Sequence, residues 1–358
     1  MKKTVATFQV EYHQFLNPQG EVVHEVPGFA QEPATLIDLY RAMVLARNFD
    51  AKCIALQRTG KLGTYASFLG QEAIAVGAAS AMRADDVLLP SYRESAMLLQ
   101  RGVSMTELLS YWGGDERGND FKTPRKDFPI CITISAQVVH AVGVAYAMKL
   151  RNEKRVAVVV CGDGGTSKGD FYEGINAAGV WRLPMIMLIN NNQWAISAPR
   201  SLQSAAQTLA QKAIAAGFEG LQVDGNDVIA IRLAMDLALA KARDGGGPTL
   251  IEALSYRLSD HTTADDASRY RDAQELSRHW LLEPIARLRN YLTSTKLWGK
   301  KEEEELLKEC AEKINHAVEI YAATPPPGTE EMFKHLYATL PTALMTQRNE
   351  VAAGDFHG

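Results

Sequence analysis

Asp163 stands between two glycines in Gly162-Asp163-Gly164, and Asn192 follows it by 29 residues, at the end of the run Asn190-Asn191-Asn192. A carboxylate and a carboxamide are hard oxygen donors of the kind Mg²⁺ takes. Their separation suits a strand, a helix and a second strand, which would bring both side chains to one point at the carboxyl edge of a parallel sheet. Gly162, Gly164 and Gly165 remove side chains where a phosphate must approach backbone N–H groups, beside the N-terminus of the next helix. Asp163, Asn192, a backbone carbonyl, two phosphate oxygens and a water would complete an octahedron. The chemistry within reach of these residues is to hold a metal ion and, through it, a diphosphate.

The flanking segments can supply that sheet edge. Arg155 to Cys161 is a β-branched apolar run of the type buried in parallel sheets, and Cys161 reads as a small buried hydrophobe. A helix over Lys168–Trp181 and a strand over Pro184–Ile189 follow, which sets the asparagines just beyond the strand. Leu221–Val223, a helix over Asp227–Ala242 and a strand over Thr249–Tyr256 repeat the alternation, so the fold class is α/β with a parallel sheet. Upstream, helices are expected from Thr35 and over 71–82, 91–101, 105–115 and 137–150, the last carrying His140, which reads as structural. Residues 1–34 form an arm with a turn at Asn17-Pro18-Gln19-Gly20. One domain spans 35–340, its last part (273–340) a helical extension with a charged helix from Lys300 to Ala322, and 341–358 are a tail.

Composition narrows the partners. The 46% hydrophobic and 22% charged residues are those of an ordinary globular protein. A net charge of −4 without a basic block argues against nucleic acid. Cys53, Cys131, Cys161 and Cys310 form no C-x-x-C pair and fit a reducing cytoplasm. Gln9, Glu11 and His13 interrupt any signal core after the basic start, and no apolar run approaches membrane-spanning length. A dinucleotide fingerprint fails, because it needs glycine at position 167, which is Ser167, and an acid where three amides stand.

The stretch from Gly162 to Asn176, together with Asn191 to Ser197, resembles the thiamine diphosphate motif of the 2-oxoacid dehydrogenases. More narrowly it is similar to the alpha subunit of their two-subunit type, which comprises pyruvate, branched-chain 2-oxoacid and acetoin dehydrogenases. The resemblance runs from about residue 35 to 340. It implies a thiamine diphosphate-binding fold flanked by helices, with Asp163, Asn192 and the main-chain carbonyl of Trp194 as Mg²⁺ ligands. The family usually has tyrosine at position 194, a change that a backbone ligand tolerates. It further implies that Tyr92 and Arg93, in Ser91-Tyr92-Arg93-Glu94, and Arg257 contact the diphosphate, where a planar guanidinium gives paired charge-assisted bonds. Standing alone, Arg93 would read as an ion pair with Glu94 or Asp86.

By the same resemblance the backbone of Ile132 to Ile134 meets the aminopyrimidine, and Gly70-Gln71-Glu72-Ala73 lies near the cofactor entry. His261, in the loop Tyr256 to Asp266, is the catalytic candidate, able to donate to the 2-oxoacid or to a lipoyl sulfur. Tyr65 and Phe68 are taken as pocket residues. Ala136 replaces a hydroxyl residue of a monovalent-cation site in some relatives, so none is expected here, and Lys168 replaces a common acid.

Thiamine chemistry also needs a glutamate on the aminopyrimidine and a second domain, for which 358 residues leave little room. The implied partners are therefore a beta subunit in an α₂β₂ heterotetramer, carrying that glutamate, and a lipoyl-bearing acyltransferase core. Pyruvate is the expected substrate and branched-chain oxoacids the alternative. A non-catalytic assembly subunit is the competing class, against which Asp163, Asn192, Arg93 and His261 together speak.

Overall fold

The computed structural model describes residues 1–354. In chain order the elements are β1 (Tyr12–His13), α1 (Pro33–Arg58), α2 (Glu72–Ala81), β2 (Val87–Leu89), α3 (Ser95–Arg101), α4 (Met105–Trp112), α5 (Ala136–Leu150), β3 (Ala157–Gly162) and α6 (Gly169–Val180). Then come β4 (Met185–Asn191), β5 (Trp194–Ala195), β6 (Ala198–Pro199), α7 (Arg200–Gln203), α8 (Lys212–Ala215), β7 (Glu219–Asp224), α9 (Val228–Arg243) and β8 (Thr249–Leu254). Helices α10 (Ala273–Trp280), α11 (Pro284–Ser294), α12 (Lys300–Ala323), α13 (Glu331–Lys334) and α14 (Thr342–Ala353) follow. The sequence-based tail reaches 358, and its residues 355–358 lie outside the described part.

Six strands form one parallel sheet in the order β1-β7-β8-β4-β3-β2. The central strands β3 and β4 are buried and mostly apolar because both faces of the sheet are covered there. Val158, Val160, Ile186 and Leu188 pack into a core with α1, α2, α9, α11 and α12. Their alternates Val159, Cys161, Met187 and Ile189 pack against α5, α6 and α8 on the other face. Cys161 is buried there, as its place in the run implies. No described helix is long and apolar enough to cross a membrane.

The arm docks on its own domain. Tyr12 and His13 extend the sheet beside Gln222 and Val223, and Asp227 Oδ2 accepts from the backbone N–H groups of Phe15 and Leu16 at 2.7 and 2.8 Å. The turn at Asn17–Gly20 forms, closed by Gly20 N donating to Asn17 O.

Three details depart from the sequence reading. The strand β2 is only three residues long, too short to stand out among helical patterns. The helix expected from residue 91 starts at Ser95, leaving Ser91 to Glu94 as a turn. Strand β4 continues through Asn190 and Asn191, because their amides donate to buried acceptors, Gln71 Oε1 at 2.8 Å and Glu252 Oε1 at 2.7 Å.

Candidate active site

Strands β3 and β4 are neighbours, with Gly162 opposite Asn190. Asp163 therefore leaves β3 one residue past that pair and Asn192 leaves β4 two residues past it, on adjacent strands about 4.8 Å apart. Beyond Asn192 the chain turns sharply, Gln193 taking φ +70, into the small β5–β6 hairpin. Gly164 fits under this hairpin, where a Cβ would lie 2.4 Å from the Cβ of Ala195. Asp163 is buried, and Gln203 Nε2 donates to its Oδ2 at 3.1 Å. Burial pushes this carboxyl up to about 6, although hydrogen bonds and the Arg257 charge pull it down. A cation beside it would favour the charged form further. Asn192 Oδ1 accepts from Trp194 N at 3.2 Å, and its amide donates to Gln71 Oε1 at 3.2 Å.

A cavity of about 850 Å³ opens at this edge. Tyr92, Arg93 and His261 line it together with the Gly162–Gly165 loop. Arg93 Nη1 donates to the Ser67 carbonyl, and Nη2 donates to His261 Nδ1 at 3.1 Å and to the His261 carbonyl at 3.0 Å. The guanidinium lies 5.3 Å from the Tyr92 ring centroid, which spreads its charge over an aromatic face. His261 is held down to about 4 by burial, then by the Arg93 and Arg257 charges, with Asp265 opposing. It is neutral at pH 7. An arginine can only donate, so Nδ1 accepts and the ring proton sits on Nε2.

Of the sequence-assigned residues, Tyr92, Arg93, Ile132, Ile134, Gly162, Asp163, Gly164, Gly165, Asn192, Trp194 and His261 all line this one cavity. Arg257 does not reach the wall. It is fully buried behind His261 and donates to the Ile196 carbonyl at 2.9 Å and to Tyr270 Oη at 2.7 Å. The ion-pair alternative for Arg93 does not form: Asp86 is taken by Arg243 and Glu94 by Ser91. Tyr65 and Phe68 do not line this cavity, for both are buried in the core while their neighbours Thr64 and Ala66 line it. His140 is exposed near Phe128, not packed in the core, because it falls on the outer face of α5. Lys168 lies at the rim, 3.6 Å from Asp170.

Sequence reasoning missed Gln137 and Gln203, both on the cavity wall, and underweighted Gln71. A glutamine carries no signal of its own in a helical pattern. Gln71 alone could have been found, through its place in Gly70-Gln71-Glu72-Ala73.

The sequence model of the family described as dehydrogenase E1 component matches residues 40–330. This chain belongs to that family. It is 41% identical to the 3-methyl-2-oxobutanoate dehydrogenase subunit alpha of Mycobacterium tuberculosis (strain ATCC 25618 / H37Rv), over 95% of this chain and 93% of the relative. It is 40% identical to the pyruvate dehydrogenase E1 component subunit alpha of Bacillus cereus, over 97% and 93%. The corresponding pyruvate dehydrogenase subunit of Acholeplasma laidlawii is 41% identical, over 92% and 96%. Membership in the dehydrogenase E1 component family makes the chain part of an oxidoreductase and implies thiamine diphosphate as its cofactor.

The cavity's residues fit that cofactor. Gln71 Nε2, Gln137 Oε1, Gln203 Oε1 and Trp194 Nε1 are buried polar atoms without a protein partner, and all four residues line it. Buried polar groups are rarely left unpaired, so such a cluster suits a polar ligand. Among the described residues no group of three or more His, Cys, Asp or Glu side chains gathers for a metal. A metal at Asp163 and Asn192 would need its other oxygens from the main chain, phosphate and water, as a diphosphate-bound Mg²⁺ does.

Proposed function

We propose that this chain is the alpha subunit of a pyruvate dehydrogenase. With a beta subunit, in an α₂β₂ assembly, it converts pyruvate and the disulfide of a lipoyl group on an acyltransferase core into CO₂ and the acetylated dihydrolipoyl group. The observation that carries this reading is the meeting of Asp163, Asn192, Arg93 and His261 on one cavity at the carboxyl edge of the sheet. The working unit is the 35–340 domain, its part from 273 on a helical extension, and the compartment is the cytoplasm, where its four free cysteines would stay reduced.

Asp163, Asn192 and the Trp194 carbonyl would hold Mg²⁺. The cofactor, when bound, supplies the carbanion chemistry that decarboxylation of a 2-oxoacid needs. Gly162, Gly164 and Gly165 would admit its diphosphate to the backbone, and Tyr92 and Arg93 would bind it from the same cavity. Arg257 adds positive charge from behind. Ile132 and Ile134, both exposed, offer an apolar ledge and main-chain groups to the aminopyrimidine. His261 acts through Nε2, donating to the developing negative charge on substrate oxygen or lipoyl sulfur.

Among the described residues the acids on the cavity wall are Asp163 and Glu94, and Glu94 is buried and bonded to Ser91 Oγ. That supports a beta subunit as the source of the activating glutamate. Branched-chain 2-oxoacids are the second reading, with which the 3-methyl-2-oxobutanoate dehydrogenase relative is consistent.

The test is co-expression with the beta subunit and 2-oxoacid-dependent dye reduction with Mg²⁺ and thiamine diphosphate. Pyruvate should give a higher kcat/KM than 3-methyl-2-oxobutanoate. The reverse order would assign the branched-chain activity, and no turnover with any 2-oxoacid would remove the catalytic reading.

A further inference from the structure

Behind the cavity wall lies a carboxylate that the chemistry above does not use. Asp50, on α1, is 1% exposed and ion-paired with no cation among the described residues. A buried charge of this kind persists only where donors satisfy it. Its Oδ1 accepts from Tyr65 Oη at 2.9 Å and from Phe68 N at 3.1 Å, and its Oδ2 accepts from Ser67 Oγ at 2.6 Å. All three donors belong to one short segment, 65–68.

That segment is a wall of the site. Its alternate residues divide as in an extended chain: Thr64 and Ala66 line the cavity, while Tyr65 and Ser67 turn to Asp50. Its backbone also bonds Arg93 and the loop that carries His261. The Ser67 carbonyl accepts from Arg93 Nη1. Tyr65 exchanges bonds with Thr263, its N donating to Thr263 Oγ1 at 3.0 Å and its carbonyl accepting from Thr263 N at 2.9 Å. Thr263 is two residues past His261, which Arg93 holds from the other side.

We propose that Asp50 is a positioning residue: by fixing segment 65–68 it sets Arg93 and the His261 loop against each other. This rests on the roles given to Arg93 and His261 above. Three bonds run from the Asp50-held segment, one to Arg93 and two to Thr263 of the His261 loop. A rotation of the segment would therefore shift both together.

The test uses the assembled alpha–beta enzyme well below its melting temperature, reading kcat/KM for pyruvate and the dissociation constant for thiamine diphosphate. Asp50→Asn keeps the shape but removes the charge and turns one acceptor into a donor, so that either the Ser67 hydroxyl must rotate from donating to accepting or the Phe68 N–H loses its acceptor. It should lower kcat/KM on the order of 10- to 100-fold, the cost of misplacing reacting groups by about 1 Å, and weaken cofactor binding. Tyr65→Phe removes one donor only and should act in the same direction more mildly, which decides the matter if Asp50→Asn does not fold. Leu292→Ala, in the core on α11, should lower the melting temperature while leaving both constants essentially unchanged. Arg93→Gln reports on the underlying reading. If Arg93→Gln impairs both constants while Asp50→Asn and Tyr65→Phe behave like Leu292→Ala, positioning is overturned and the site stands. If Arg93→Gln itself changes neither constant, the roles of Arg93 and Asp50 fall together.

Discussion

Arg93 Nη2 donates at once to the ring Nδ1 of His261, at 3.1 Å, and to the carbonyl of the same residue, at 3.0 Å. Arg93 therefore fixes the ring and selects the tautomer with the proton on Nε2, while burial first, and then the Arg93 and Arg257 charges, keep the ring neutral. His261 enters the reaction as a hydrogen-bond donor at neutral pH, without needing to be protonated first.

Removing that donor should slow chemistry more than binding. His261→Phe in the assembled enzyme should lower kcat on the order of 100-fold or more, the usual weight of a positioned acid–base group. Cofactor affinity should change little. Steady-state dye reduction and a cofactor titration separate the two effects, and a change confined to cofactor affinity would remove His261 from the chemistry.

The depressed pKa has a consequence for stability. His261 falls from 6.5 in an unfolded chain to about 4 in the fold, so between these values the unfolded state binds more protons. Stability from this group is intact above pH 6.5 and declines as pH falls through the window towards about 4. Urea denaturation of the cofactor-free chain across that window should show a shallower acid loss for His261→Gln than for the wild type. Parallel curves would contradict the assigned shift.

The glycine loop separates folding from binding. A Cβ on Gly162 would meet nothing within 4 Å, and its φ of −78 suits any residue. Gly162→Ala should leave the cofactor-free melting curve within about 0.5 kcal/mol of wild type. It should nevertheless weaken thiamine diphosphate binding by about tenfold, since the added methyl crowds the ligand alone. Gly164→Ala should differ. Its Cβ would meet Ala195, costing roughly 1–3 kcal/mol before any ligand is added. Thermal melts and cofactor titrations of both variants check the contrast.

The strand edge was legible because its signals are local. A β-branched run, a glycine-framed aspartate and a run of amides each follow from steric and donor rules that act within a few residues. The site's supports were not legible, because they come together only through tertiary packing. Asp50 and Ser67 are 17 residues apart, and nothing in α1 marks one buried acid among its polar residues. Tyr65 is not on the cavity wall, because the alternation of the backbone gives the wall to Thr64 and Ala66. Arg257 carries the right charge for phosphate, yet Ile196 and Tyr270 hold its guanidinium behind the loop. Strand β4 ends two residues beyond Ile189, since it stays paired with β8 while Gln71 and Glu252, distant in sequence, accept from the Asn190 and Asn191 amides.

The most direct measurement is a calorimetric titration of the assembled enzyme with thiamine diphosphate, with Mg²⁺ or with chelator, for the wild type and Asp163→Ala. Binding should be Mg²⁺-dependent in the wild type and weaker by at least about 100-fold in Asp163→Ala, through loss of a metal ligand. Undiminished affinity in that variant, or equal affinity with and without Mg²⁺, would contradict a metal-held diphosphate between Asp163 and Asn192.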